Sequence, residues 1–389
     1  MKLKIAIVMH HFEINSENED LRWEKIEREI LICNLLNKKN NVEAKLFLPK
    51  RNEDISPPNW IKLDPKKVYL YKINNYNPKT TDNEKSQDLL NKMGEFSPKI
   101  IILKPLGYRF HLWLISKFIK SEIILISGGL KKDNGILKYT KLFLCESQKQ
   151  IKALSNKKIK TKILMKSVNT TINLETNINK KYDFVCIGRL NKNKNIASIM
   201  ELGKLFKGLI IGTGPEYKKL KNRILKENLN IEMKGELSKK ETLNHLKNSY
   251  ILLHPSLSEG IPRVFAEAEV YGVPIIAFKG ATLAAKTEYE NFIELERDTN
   301  LKKEFKIIHT SIKNKLDSEN KKFELEKSII KYKNMYKKNI NDVVDLIINN
   351  KDSTKTILYL RFIEVNLRLF FNKVKLLNSI LRKIYYEIK

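Results

Sequence analysis

Cysteine is scarce: Cys33, Cys145 and Cys186 are the only three in 389 residues, and no pair has the spacing of a metal or redox motif. That excludes a disulfide framework and a thiolate zinc site, and fits a reducing compartment. Long apolar runs are missing as well. The first apolar stretch, residues 5–9, stops at His10 and His11 and is far shorter than a signal-peptide core or a membrane span, so the expected location is cytoplasmic. Acidic residues are in deficit, 44 against 74 basic, for a net charge of +30. Such a charge attracts any polyanion. Arginine, however, supplies only eleven of the basic residues, and no Arg cluster with interleaved aromatics occurs, so the excess is read as lysine-rich composition and no nucleic-acid partner is expected.

What is present is alternation. Short β-rich apolar runs at 4–9, 100–103, 122–126, 142–145 and 162–165 are separated by stretches of helical period such as 23–36. Alternation of this kind signals a parallel sheet with crossover helices. Residues 51–98 give little signal and read as an irregular insertion. Residues 167–180 are polar and aperiodic, a linker, after which the pattern restarts with runs at 183–187, 209–211, 231–233, 250–254 and 274–278. The chain therefore reads as two doubly wound α/β domains, 1–168 and 182–325, joined by 169–181. Open sheets of this class bind ligands beyond the carboxyl ends of their strands, so a cleft faced by both domains is the expected site.

Four segments of the second domain carry chemistry. In HPSLSEGIPRVFAEAEVYGVPIIAF, residues 254–278, a strand ends at His254 and a helix begins near Pro262. The free N–H groups around residues 260–264 and the positive helix end suit an anion. Glu267, more than a turn into that helix, could accept two hydroxyl hydrogens from a diol, and Glu259 could do the same for a sugar ring; a random glutamate at either place is more often an exposed helix residue or a cap. In CIGRLNKNKN, residues 186–195, Arg189 and Lys194 come after a strand and would neutralise a diphosphate and the charge that grows on it as it leaves. In IIGTGPEYKKL, residues 210–220, Gly212 and Gly214 lie before a helix expected to begin at Pro215. In MKGELSKKE, residues 233–241, Gly235 comes after a strand where a backbone edge could face a base, and Ser238 with Glu241 makes a capping box.

These four segments, in this order and spacing, resemble the C-terminal half of the group 1 (family 4) retaining glycosyltransferases of the GT-B fold. The resemblance implies that Arg189 and Lys194 bind the donor diphosphate, that Glu259 contacts the transferred sugar, that Glu267 holds the ribose, and that the amides of Gly260, Ile261 and Pro262 face sugar and phosphates. It also implies a nucleoside diphosphate sugar as donor, a glycan or lipid-linked acceptor, retention of configuration, and a place in polysaccharide or lipopolysaccharide synthesis. No Asp-x-Asp triplet occurs, so no metal and no cofactor are expected. The N-terminal half departs from the family: the loop after the first strand, MHHFEINSENED, has no glycine, and ISGGL at 126–130 stands where family members often have a histidine. Ser127, Gly128 and Gly129 are the cleft-lining residues expected there. A nucleotide-sugar epimerase, a phosphorylase, or a non-catalytic scaffold would share this architecture.

Residues 326–350 resemble the helix that crosses back to the first domain. Beyond them, 351–389 carry an apolar stripe from Leu360 through Leu367 and Val374 to Ile388, with nine basic and three acidic residues. That reads as a basic amphipathic helical tail, suited to an anionic membrane surface or to packing on protein.

Overall fold

The computed structural model describes residues 2–10, 23, 26–50, 64–73, 85–104, 109–127, 135–157, 159–168, 179–282, 289, 291–318 and 321–349. The chain divides into two compact units, one of Met1–Cys145, Ala153–Leu164 and Ile340–Lys389, the other of Glu146–Lys152 and Met165–Asn339. The tail 351–389, most of the linker, His11, Gly128 and Gly129 lie outside the described residues.

The first unit is built on seven parallel strands, β1 (Leu3–Met9), β2 (Val42–Lys50), β3 (Val68–Lys72), β4 (Ile100–Lys104), β5 (Glu122–Ile126), β6 (Thr140–Cys145) and β7 (Lys160–Ile163), in the order β3-β2-β1-β4-β5-β6-β7. Its helices are α1 (Glu27–Asn37), α2 (Gln87–Phe96) and α3 (Arg109–Lys117); α4 (Gln148–Leu154), which comes between β6 and β7 in the chain, is counted with the second unit up to Lys152. The region 51–98, expected to be irregular, contains β3 and α2. β3 is an edge strand with only Tyr71 buried, so it lacks the continuous apolar run that marks a central parallel strand. Ser86 caps α2 by accepting from the Leu89 amide at 3.0 Å, and Leu89, Met93 and Phe96 form its buried stripe. β7, the other edge, lies two residues before the stretch expected for it, for the same reason.

The second unit holds β8 (Tyr182–Ile187), β9 (Gly208–Ile211), β10 (Ile231–Lys234), β11 (Ser249–His254), β12 (Ile275–Phe278) and β13 (Phe292–Leu295), all parallel, in the order β10-β9-β8-β11-β12-β13. Its helices are α5 (Tyr217–Lys226), α6 (Lys239–Lys247), α7 (Arg263–Val270), α8 (Leu301–Ser318) and α9 (Lys321–Asn349). Successive strand residues face opposite sides. Val185, Leu209, Leu252 and Ile275 therefore join one buried cluster with Phe265 of α7, while Phe184, Ile210, Ile251 and Ile276 join another with Phe305 of α8. A sheet covered on both faces reads in sequence as unbroken apolar runs, which is why these strands are the most legible.

In both sheets the order reverses at one place, between β1 and β4 and between β8 and β11. Loops leaving neighbouring strands on either side of such a switch diverge and leave a crevice at the carboxyl end. In the second unit that end is where β8 runs into Gly188 and Arg189 and where β11 ends at His254. α9 is counted with the second unit up to Asn339 and with the first from Ile340, where Ile340, Val343, Val344 and Ile347 are buried.

Candidate functional site

The turn after β8 is held closely by the loop that leaves β9. The Gly188 amide donates to Ile211 O at 3.0 Å, the Leu190 amide to Thr213 O at 2.7 Å, and the Glu216 amide to Leu190 O at 3.0 Å. Gly212 and Gly214 are what this approach requires: both have positive φ, and a Cβ at Gly212 would lie 2.1 Å from Gly188 O, one at Gly214 2.4 Å from Leu190 O. The helix expected from Pro215 begins at Tyr217 instead, because the Tyr217 amide is taken by Gly214 O in a turn. Gly235 sits beside the same turn, its carbonyl accepting from the Gly212 amide at 3.0 Å.

Arg189 is exposed at the tip of this turn, and among the described residues its guanidinium meets no carboxylate. Lys194 is placed by a short 3₁₀ turn, Lys192–Lys194: Asn191 caps it by accepting from the Lys194 amide at 3.0 Å, and Asn195 closes it in the left-handed region. The turn is tied to the loop after β11, since the Asn193 side chain donates to Ser258 O and the Leu257 amide to Asn193 O, each at 2.8 Å. Arg297 donates to Leu257 O at 2.9 Å and the Glu259 amide to Ala281 O at 2.7 Å. The first two bonds bring two chain segments about 65 residues apart into register, and the other two anchor the loop after β11 to the segments around Arg297 and Ala281.

The result is a three-residue chain. Lys194 Nζ lies 2.5 Å from Glu259 Oε1, and His254 Nε2 lies 3.0 Å from Glu259 Oε2. Burial works against the Glu259 charge, but the His254 hydrogen bond and the Lys194 ammonium outweigh it and hold the carboxyl below its ordinary value. Burial pushes His254 below the ordinary value of a free imidazole, with Lys194 adding to the effect and Glu259 opposing it. A small pocket beside the chain is lined by Gly188, Lys194, His254, Pro255 and Ser256 among others. Ser256 is fully buried and its hydroxyl has no hydrogen-bond partner among the described residues.

Glu267, on α7, is buried rather than an exposed helix residue, and it pairs with Lys239, the first residue of α6. The capping box at Ser238 and Glu241 that fixes the start of α6 fixes the root of Lys239. Tyr271 is pushed up to about 12 by burial and by the nearby Glu267. At the α7 N-terminus, the amides of Gly260, Ile261, Arg263 and Val264 find no acceptor among the described residues. The amide expected from Pro262 is corrected: this residue is the N-cap, and as a proline it has no N–H to give. Glu259, Glu267, Arg189 and Lys194 thus all belong to one unit: Arg189, Lys194 and Glu259 lie on the segments leaving β8 and β11, either side of the switch point, and Glu267 lies on α7, which follows β11. Lys239 and His254 are functional candidates that sequence reasoning missed; the capping box and the strand end were the signals for them.

At the corresponding end of the first sheet, His10 is buried and stacks on Phe110 at 3.8 Å. Glu29 is fully buried between Arg28 and Lys104, each at 2.9 Å, and although burial opposes ionisation these cations hold it at about 2. Ser127 is buried, its amide donating to Leu144 O at 2.9 Å. Among the described residues no three His, Cys, Asp or Glu side chains are grouped to hold a metal ion, and no helix is long and apolar enough to cross a membrane.

Comparison with known proteins adds four findings. Over 104 residues the chain is 30% identical to the amylovoran biosynthesis glycosyltransferase AmsD of Erwinia amylovora, a match that spans 25% of this chain and 30% of that relative. The fold resembles that of the lipopolysaccharide outer core galactosyltransferase WaaB, with a TM-score of 0.61 at 16% identity over 88% of this chain and 99% of the other. It also resembles the pneumococcal O-GlcNAc transferase GtfA, solved with UDP and GlcNAc, with a TM-score of 0.60 at 12% identity over 90% and 99%. The chain has the GT-B fold of two Rossmann-like α/β units, and within it residues 169–300 match the family described as glycosyl transferases group 1.

Proposed function

We propose that this chain is a retaining glycosyltransferase that moves a hexose-like unit from a nucleoside diphosphate sugar to a glycan or lipid-linked acceptor in polysaccharide synthesis. The observation that carries it is the Lys194–Glu259 pair, which joins the segment leaving β8, with Arg189, to the segment leaving β11, with the α7 amides and Glu267, across the switch point of one sheet. Arg189 and Lys194 bind the diphosphate and stabilise the charge it gains on leaving. Glu259 holds the sugar, Glu267 the ribose diol, and the amides of Gly260 and Ile261 complete the cradle, with Gly212, Gly214 and Gly235 shaping its floor. The second unit takes the donor and the first the acceptor. Relatives support the polysaccharide setting, since AmsD is named for amylovoran biosynthesis, and a UDP complex of GtfA supports the donor class.

No resident metal is invoked in this reading: Arg189, Lys194 and the α7 terminus would carry the charge of the diphosphate. Association with an anionic membrane through residues 351–389 belongs to the same reading, for a lipid-linked acceptor.

The test is a thermal-unfolding screen against UDP-, GDP-, ADP- and dTDP-sugars and the free diphosphates, followed by turnover of the best donor by wild type, Arg189→Ala and Glu259→Ala. A nucleoside diphosphate at about 100 times its Kd should stabilise the fold by roughly 2.7 kcal/mol. No stabilisation by any of them, or full turnover by both variants, rejects the assignment.

A further inference from the structure

Glu259 has two oxygens, and the structure gives them different kinds of partner. Oε1 meets Lys194 at 2.5 Å, a flexible ammonium on a side chain 17% exposed. Oε2 meets His254 Nε2 at 3.0 Å, a ring 4% exposed at the end of a central strand. That ring stands edge-on to Phe265 at 4.9 Å, and Phe265 is itself fully buried in the core. The lysine can swing away toward a phosphate; the imidazole is clamped.

We propose that His254 is the positioning residue for Glu259: its ring fixes one carboxylate oxygen so that the other stays aimed at the ligand side when Lys194 leaves it for the diphosphate. This rests on the reading of Glu259 as the sugar contact. An ionised carboxylate can only accept, so the His254 nitrogen facing it carries the hydrogen, and burial keeps the ring neutral while it does so. Among the described residues, the charges acting on the ring are Glu259 and Lys194. Without His254, departure of Lys194 would leave Glu259 half-buried with neither of the partners it has in the free protein, and an unpartnered carboxylate there would turn back toward the cation or toward water.

Two substitutions separate positioning from packing. His254→Phe keeps an aromatic ring against Phe265 and removes the donor; His254→Gln loses the ring and returns an N–H donor at nearly the same reach. For positioning, kcat for turnover of the sugar nucleotide that best stabilises the protein should fall about 10- to 100-fold in His254→Phe, with KM for that donor little changed, and recover to within a few-fold in His254→Gln. A packing residue gives the opposite order, Phe tolerated and Gln damaging, and that order overturns the proposal. Glu259→Ala is measured alongside: full turnover by it overturns the role of Glu259 itself, whereas a disabled Glu259→Ala beside an unimpaired His254→Phe overturns only the inference about His254. Should His254→Phe fail to fold, ring-nitrogen NMR of the wild-type protein decides, since only six histidines are present. A neutral His254 ring protonated at Nε2, with that signal shifted in Glu259→Gln, is expected at neutral pH; an Nδ1-protonated or charged ring rejects the proposal.

Discussion

At the residue scale, the two cations of the site are not equivalent. Lys194 spends its charge on Glu259 in the free protein, whereas Arg189 is exposed without a carboxylate partner among the described residues. On the proposed reading a diphosphate would have to compete for Lys194 but not for Arg189, and the guanidinium fork suits two phosphate oxygens at once. Arg189→Ala should cost about 2–4 kcal/mol of transition-state stabilisation, read as kcat/KM for the donor, and Arg189→Lys should restore only part of it. Acid should weaken the same cluster. Glu259 sits below its ordinary 4.5, so it stabilises the fold above that pH and the contribution is lost as pH falls through its folded value. His254 sits below its ordinary 6.5, so the folded state resists protonation, and its contribution is likewise present above 6.5 and lost on the way down. Both signs agree: the thermal midpoint should fall as pH drops from 7 toward 4, and His254→Gln should flatten the upper part of that fall. A midpoint that rises on acidification would contradict the arrangement.

At the scale of elements, the site depends on turns more than on helices. Gly212→Ala would place a Cβ against the Gly188 carbonyl at a φ of +134°, and since those are backbone atoms on both sides nothing flexible can yield. We expect a loss of stability of at least about 1–3 kcal/mol together with weaker nucleotide binding, because the displaced turn carries Arg189. Ser238→Ala removes one half of a capping box and should cost about 1 kcal/mol, measured by urea unfolding, with nucleotide affinity falling further than in a cap mutant elsewhere because Lys239 roots in the same turn. These elements also show what is legible in a sequence. Strands buried on both faces announce themselves as apolar runs, and the box at Ser238 is readable from two residues. The edge strand β3 is not, since a half-exposed strand with one buried tyrosine has no run to display. Arg189, Lys194, Glu259 and Glu267 are readable as a spaced set, but that Asn193 stitches two of them together, or that Glu267 is buried against Lys239, depends on contacts between segments far apart in sequence. In the first unit, the buried group of Glu29, Arg28 and Lys104 joins a helix start to a strand end, and no local pattern points to it.

At the scale of the molecule, a net charge of +30 sets a background against which any specific anion site must be recognised. Most of the basic residues are lysine, and at a solvated surface attraction is diffuse and is screened beyond about 8 Å at physiological ionic strength. On the proposed reading a nucleoside diphosphate would make short, partly desolvated contacts with Arg189, Lys194 and the α7 amides, and such contacts are screened much less. The two kinds of binding should therefore separate with salt. Heparin or nonspecific DNA, retained at low ionic strength, should be released as sodium chloride is raised through about 0.15 M, because each neutralised charge adds to the salt slope. Stabilisation of the fold by the preferred nucleoside diphosphate should persist over the same range. Arg189→Ala then becomes the decisive comparison: removing one of 74 basic residues leaves polyanion retention unchanged, whereas it should abolish most of the nucleotide-dependent rise in melting temperature. If both bindings vanished together with salt, and Arg189→Ala affected neither more than a surface lysine variant did, the cluster at the β8–β11 switch would be part of the diffuse charge and not a built site.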